Sequence, residues 1–235
     1  MIRISIAAVT ASVLTYGVHA DTSDQPDDQG PVSTEAPQAW KPQDGDTIRF
    51  NVYRKGDTKF GSHTVNFNVE SDGNFTATSE VDLKAGLGPI TVFRYTLNAT
   101  ETWEDGKLVQ LDGNTNDDGD NEQVSASLEG GALQVDGSGY TGKAPLGVIP
   151  SSHWNIQQVF SSEILSTESG QLLETKATRI GEETLEIDGQ SVDTVHYRLV
   201  SDLTVDLWYD EQNRWVQLSF EARGQKIDYR LASLY

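Results

Sequence analysis

From Thr47 onward, apolar side chains recur at every second position. Ile48, Phe50 and Val52 form one such series, and Val65, Phe67 and Val69 another. The same rhythm returns at Val124, Ala126 and Leu128, at Val195, Tyr197 and Leu199, and at Leu203, Val205, Leu207 and Tyr209. It closes with Val216, Leu218, Phe220 and Ala222, then Ile227, Tyr229 and Leu231. A period of two places successive side chains on opposite faces of a strand, so each segment has one face to bury and one to leave wet. The chain is therefore expected to be all-β.

The separators specify how the strands meet. Asp72-Gly73, Asp105-Gly106, Asp188-Gly189 and Arg223-Gly224 sit between alternating runs, where a tight hairpin needs positive φ. Neighbouring strands are thus expected to be antiparallel. The apolar phase slips by one residue between Ile90-Val92 and Phe93-Tyr95-Leu97, which predicts a bulge or sharp bend in a long strand. Residues 144–171, with Pro145 and Pro150, break the rhythm and predict a loop with a short helix. About eleven strands with one apolar face must close, sandwich or curl around their own core. The expectation is a single domain, residues 47–235, built on a curved antiparallel sheet forming an open or half barrel.

The segment before that domain has a different character. Met1-Ile2-Arg3 leads into an apolar run from Ile4 through Val18, and Val18 and Ala20 place small residues where a signal peptidase needs them. Residues 1–20 read as a secretory signal peptide, the run being shorter than the roughly 20 apolar residues that span a bilayer. The cleaved chain is expected to be periplasmic or secreted and not membrane-spanning. Residues 21–46 hold four prolines and seven acids against one lysine, too few apolar groups to offset the cost of ordering, and read as a disordered acidic leader. Trp40 marks the point where it would dock.

The full chain carries 17 basic and 36 acidic side chains, a net charge of −19. Such a surface repels nucleic acid and anionic lipid. With no cysteine, the chain has no disulfide, thiolate nucleophile or thiolate metal site.

Motifs that suggest chemistry are incomplete. "GSGYTGKA", residues 137–144, has the glycines and lysine of a phosphate loop, but Ala144 stands where the metal-binding hydroxyl belongs and Pro145 follows. Neither a nucleotide nor another cofactor is expected, and the glycines read as turn residues in a mobile loop. "DGNTNDDGDNE", residues 112–122, resembles a calcium loop in two registers, neither complete. It reads as a solvated acidic turn; any calcium would bind weakly, at Asp112, Asn114, Asn116 and Asp118. His63, His153 and His196 lack ligand spacing. G-x-S-x-G is absent, and 36 acids offer carboxylate pairs without selecting one. Aromatic residues are the remaining clue. Trp208 falls on the polar phase of its strand, and Trp103, His153, Trp154 and Trp208 are the candidate ligand-binding residues, as an apolar wall or as core.

In order along the chain, "KFGSHTVNF" (59–67), "ETWEDGKL" (101–108), "NTNDDG" (114–119), "SSHW" (151–154), "LWYDEQNRWVQLSF" (207–220) and "IDYRL" (227–231) resemble a domain-of-unknown-function family of exported proteobacterial proteins. That resemblance covers most of residues 50–232 and implies an all-β exported domain with no catalytic residue to assign. The pattern is also similar to the curved half-barrels of lipoprotein-carrier proteins, in which a helix or loop plugs the concave side. The expected function is a non-catalytic β module that binds a lipophilic or envelope-derived ligand, or an envelope protein, on a concave sheet face. Two alternatives stand beside it: a hydrolase of envelope polymers acting through paired carboxylates, and a structural subunit of an envelope complex.

Overall fold

The alternating segments become strands β1 (Thr47–Arg54), β2 (Thr58–Val69), β3 (Phe75–Leu87), β4 (Ile90–Glu104), β5 (Lys107–Asp117), β6 (Asp120–Glu129), β7 (Ala132–Gly137) and β8 (Thr141–Ala144). After three short strands, β9 (Ile149–Pro150), β10 (Glu163–Leu165) and β11 (Leu172–Glu174), the long strands resume. They are β12 (Lys176–Ile187), β13 (Gln190–Val200), β14 (Thr204–Asp210), β15 (Trp215–Ala222) and β16 (Gln225–Leu231). The structure is a computed structural model that describes residues 36–87 and 90–234. The expected signal peptide and most of the expected leader lie outside the described residues.

Thirteen strands form one antiparallel sheet in the order β12-β13-β14-β15-β16-β1-β2-β3-β4-β5-β6-β7-β8. Every neighbour in it is a neighbour in sequence except β16 and β1, which pair from Phe50↔Leu231 to Arg54↔Ile227 and stitch the two ends of the chain together. The sheet is curved but not closed, and the segment between β8 and β12 supplies what closure would have supplied. Residues 145–175 cover the inner face with a small sheet in the order β11-β10-β9 and a 3-10 helix, Ile156–Phe160. We call this segment the plug. Asn155 caps its helix, the side-chain oxygen accepting the Gln157 N–H at 3.0 Å.

Turn chemistry follows the sequence closely. Asp105-Gly106, Asp188-Gly189 and Arg223-Gly224 all have positive φ at both residues, the geometry that twists with the flanking strands. The phase slip near Val92 is a bulge: Ala85 pairs with Phe93 and Gly86 with Thr91, leaving Val92 unopposed and 59% exposed. The inner face is apolar and tightly covered, with Ile48, Phe50, Val65, Leu108, Leu111, Leu133, Trp154 and Trp215 all fully buried. Before β1 the chain is already held. Trp40 meets Phe67 edge-on at 5.2 Å, Asn213 donates to the Gln38 carbonyl, and Asp44 accepts the Val69 N–H.

Candidate functional site

Across β3 to β7 one inward row reads Ser79, Ala99, Gly113, Val124, Gly137, each residue directly opposite the next. Small side chains there leave a trough, and the plug backbone lies in it. A Cβ on Gly113 would come within 2.2 Å of the Thr167 carbonyl oxygen, and one on Gly137 within 2.2 Å of the Ser169 carbonyl oxygen. The Ser169 carbonyl also accepts the Gly139 N–H at 2.9 Å. This corrects the reading of "GSGYTGKA" as turn glycines in a mobile loop. None of Gly137, Gly139 and Gly142 has positive φ, Gly137 and Gly142 lie within strands, and two of the three are glycine because the plug presses against them.

Two residues further along β4, at the next inward position, Glu101, the floor changes chemistry. Its carboxylate is fully buried and accepts two indole N–H groups on Oε2, from Trp103 at 2.8 Å and from Trp154 of the plug at 3.1 Å. The Trp103 and Trp154 rings meet edge-to-face at 5.3 Å, with Phe75 and Phe67 completing the enclosure. Burial pushes the carboxyl up to about 7, against the opposing pull of Ser152 and the two indoles. Oε1 and the Ser152 hydroxyl are buried without a hydrogen bond of good geometry among the described residues.

A second plug contact bridges to the other half of the sheet. The Tyr209 hydroxyl on β14 donates to the His153 carbonyl at 2.9 Å and accepts from Gln158 Nε2 at 2.7 Å, while Gln158 Oε1 meets His153 Nδ1 at 2.9 Å. His153 takes a left-handed backbone, φ 68°, at the bend before the 3-10 helix. The ring of His63 lies among Phe50, Trp215 and Tyr229, and burial drives it down to about 3, with His153 adding to the effect. Burial likewise lowers His153 to about 4. Both imidazoles are neutral at physiological pH and serve as packing.

Of the four aromatic candidates, Trp103, His153 and Trp154 converge at the plug; Trp208 is elsewhere. It lies on the outer face of β14, opposite His196, and stacks on that imidazole at 4.1 Å with the planes 17° apart. The indole N–H donates to Glu183 Oε2 at 3.0 Å, and Glu183 Oε1 meets His196 Nδ1 at 2.8 Å. His196 Nε2 lies 3.1 Å from Asp206, which Arg198 grips with two N–H groups. Trp208 therefore closes a surface network of β12–β14 and walls no concave pocket.

Asp112, Asn114 and Asn116 lie on strand β5, so the expected acidic turn is confined to Asp118-Gly119. In an extended strand Asp112 and Asn116 are separated by roughly 13 Å, so the four residues cannot converge on one ion. Asp112 is engaged by Ser125 and Gln110, and Asn116 by Asn121. Among the described residues no group of three or more His, Cys, Asp or Glu could hold a metal ion. At one end of the sheet, the Tyr95 hydroxyl donates to Glu168 at 2.7 Å and Asp117 faces Arg223 at 3.9 Å. Burial raises both carboxyls above the usual range. Sequence reasoning passed over Glu101, although the signal was there: it occupies the apolar phase of Leu97, Ala99 and Trp103.

Taken together, these features define a β-barrel-like domain: an unclosed antiparallel sheet whose concave face is filled by its own chain. The protein belongs to the family described as domain of unknown function DUF6134, whose model matches residues 50–232. It is also similar to a solved β-barrel-like protein of domain of unknown function DUF1849 from Brucella abortus. That likeness has a TM-score of 0.55 at 11% identity, over 80% of this chain and 95% of the other, and is a likeness of fold. No curated protein matches the chain.

Proposed function

We propose that this is an exported, non-catalytic β module that acts by binding an envelope protein from outside, its concave face being reserved for its own plug. The trough formed by Gly113 and Gly137 carries this reading. A floor that leaves no room even for a Cβ, which would come within 2.2 Å of the plug backbone, fits a permanent occupant better than a lid that yields to a lipophilic ligand. Export rests on the charged start, the apolar run from Ile4 to Val18 and the small residues at Val18 and Ala20. Two depressions, one along β12 and β13 and one across β4–β6, are open to the surface and lined mainly by polar residues.

Native mass spectrometry of the protein isolated from its own host tests the reading. A co-purifying protein of fixed stoichiometry is expected. A stoichiometric lipid would return the concave face to a ligand, and turnover of an envelope polymer would favour the hydrolase alternative.

A further inference from the structure

The sheet ends in two unequal edges. β8 has four residues, and the Tyr140 hydroxyl already occupies the Lys143 carbonyl. β12 has twelve, and among the described residues it pairs only with β13. The residue before it, Thr175, is tied back to the plug through Ser162 and Ser161. Beyond that point, among the described residues, the backbone of β12 bonds to β13 alone, the Glu183 carbonyl taking the hydroxyl of Thr194 on β13 at 2.7 Å. A strand at the end of a sheet turns alternate N–H and C=O groups outward, ready to pair. A register shift between Arg179 and Gly181 kinks the first part of the edge, and from Gly181 to Ile187 the register is unbroken. That regular stretch spans roughly 20 Å.

Its charge has one sign. Glu182, Glu183 and Glu186 lie on the strand, Asp188 in the turn and Asp193 on β13, with no basic residue between Gly181 and Asp193. Arg179, the nearest arginine or lysine along the strand, is bound to Glu182 at 2.6 Å, and Glu183 is held by His196 and Trp208, which leaves Glu186, Asp193 and Glu211 without a basic partner among the described residues. Glu182, Glu183, Asp193 and Glu211, with Thr184, Thr194 and Val195, line a depression of about 450 Å³ beside the edge. Charge on an edge strand ordinarily prevents pairing of any kind, but a single sign discriminates. It repels a second copy of this chain, net −19, and it repels the chain's own residues 21–46, with seven acids to one lysine. A basic strand is the complement.

We propose that the Gly181–Ile187 edge of β12 is the docking site for an extended basic segment of a partner protein, which adds to the sheet as a fourteenth strand. Backbone hydrogen bonds supply the pairing, and the partner's lysines or arginines meet the acids around the depression. The proposal rests on the reading that the partner is a protein, and names where and by what chemistry it binds.

The test uses the full purified protein and a fluorescent nine-residue peptide alternating lysine with valine or threonine, with a glutamate-for-lysine peptide as control. The basic peptide is expected to bind, to weaken as salt is raised, and to slow amide exchange across residues 181–187. The double substitution Glu182→Lys, Glu186→Lys is expected to lower its affinity at least tenfold at an unchanged melting temperature. The assignment is overturned by absence of binding, by equal binding of the acidic peptide, or by exchange protection confined to β8 or the β4–β6 surface. Self-association that protects β12 also overturns it. Loss of peptide binding with a protein still found by native mass spectrometry removes only this edge, whereas loss of both removes the underlying reading.

Discussion

The indole N–H of Trp154 and the carboxylate of Glu101 meet at 3.1 Å inside a core from which both side chains exclude water. One belongs to the plug and the other to the sheet, so the contact fixes where the plug sits. Trp103 shares the same oxygen, which leaves the carboxylate well bonded on one side and bare on the other.

That asymmetry makes Glu101 a source of pH dependence. Its folded pKa of about 7 lies above the ordinary value of 4.5, so the folded state holds a proton that the unfolded state releases between those limits. The stability this group contributes is fully present below about pH 4.5 and is lost as pH rises through 7. Glu101→Gln keeps an acceptor for the indoles and removes the ionisation. Thermal unfolding from pH 5 to 8 is expected to show a flatter profile in the variant, with its largest gain over the native protein at pH 8. A profile parallel to that of the native protein refutes the assignment.

Gly137→Ala drives a methyl group into the Ser169 carbonyl, where only backbone can give way. We expect a loss of about 2–3 kcal/mol, the scale of overpacking in a tight core, with amide exchange accelerating first in residues 166–170. Gly181→Ala is the matched control. It has ordinary φ and open space around it, so its denaturation midpoint should be unchanged.

Tyr209→Phe removes a hydroxyl that serves the His153 carbonyl and the Gln158 amide at once. Both partners stay buried, so the cost should be about 1–3 kcal/mol, the penalty for orphaned polar groups. Urea denaturation measures it. A neutral result means the 3-10 helix is not anchored to β14.

Val92 separates a side chain from a position. Its side chain is largely exposed, so Val92→Thr should change stability by no more than about 0.5 kcal/mol. Deleting the residue keeps Phe93 opposite Ala85 and Thr91 opposite Gly86 but removes the bulge, and with it the bend and twist that the curved sheet needs there. The deletion variant is expected to unfold at a clearly lower temperature.

The family matched over residues 50–232 is named only as a domain of unknown function, so the plug, the trough and the β12 edge are the features through which a role can be sought.

Much of the fold was legible one strand at a time. Alternation marked the strands and Asp-Gly pairs marked the turns, because both effects act over a few residues. The slip at Val92 even located the bulge. Sequence also determined the acidity and the absence of thiols. What it could not decide was which distant surfaces meet. The glycines of "GSGYTGKA" resembled a loop because nothing nearby in sequence reveals that Ser169 lies over Gly137. The four aromatic candidates fell into two groups because the face a side chain shares depends on strand pairing: Trp103 and Trp154 meet under the plug, whereas Trp208 stacks on His196 outside. Local periodicity follows from backbone geometry, which each residue carries with it. The filled concave face, the bare edge of β12 and the raised carboxyl of Glu101 arise only when segments far apart in the chain exclude water from one another.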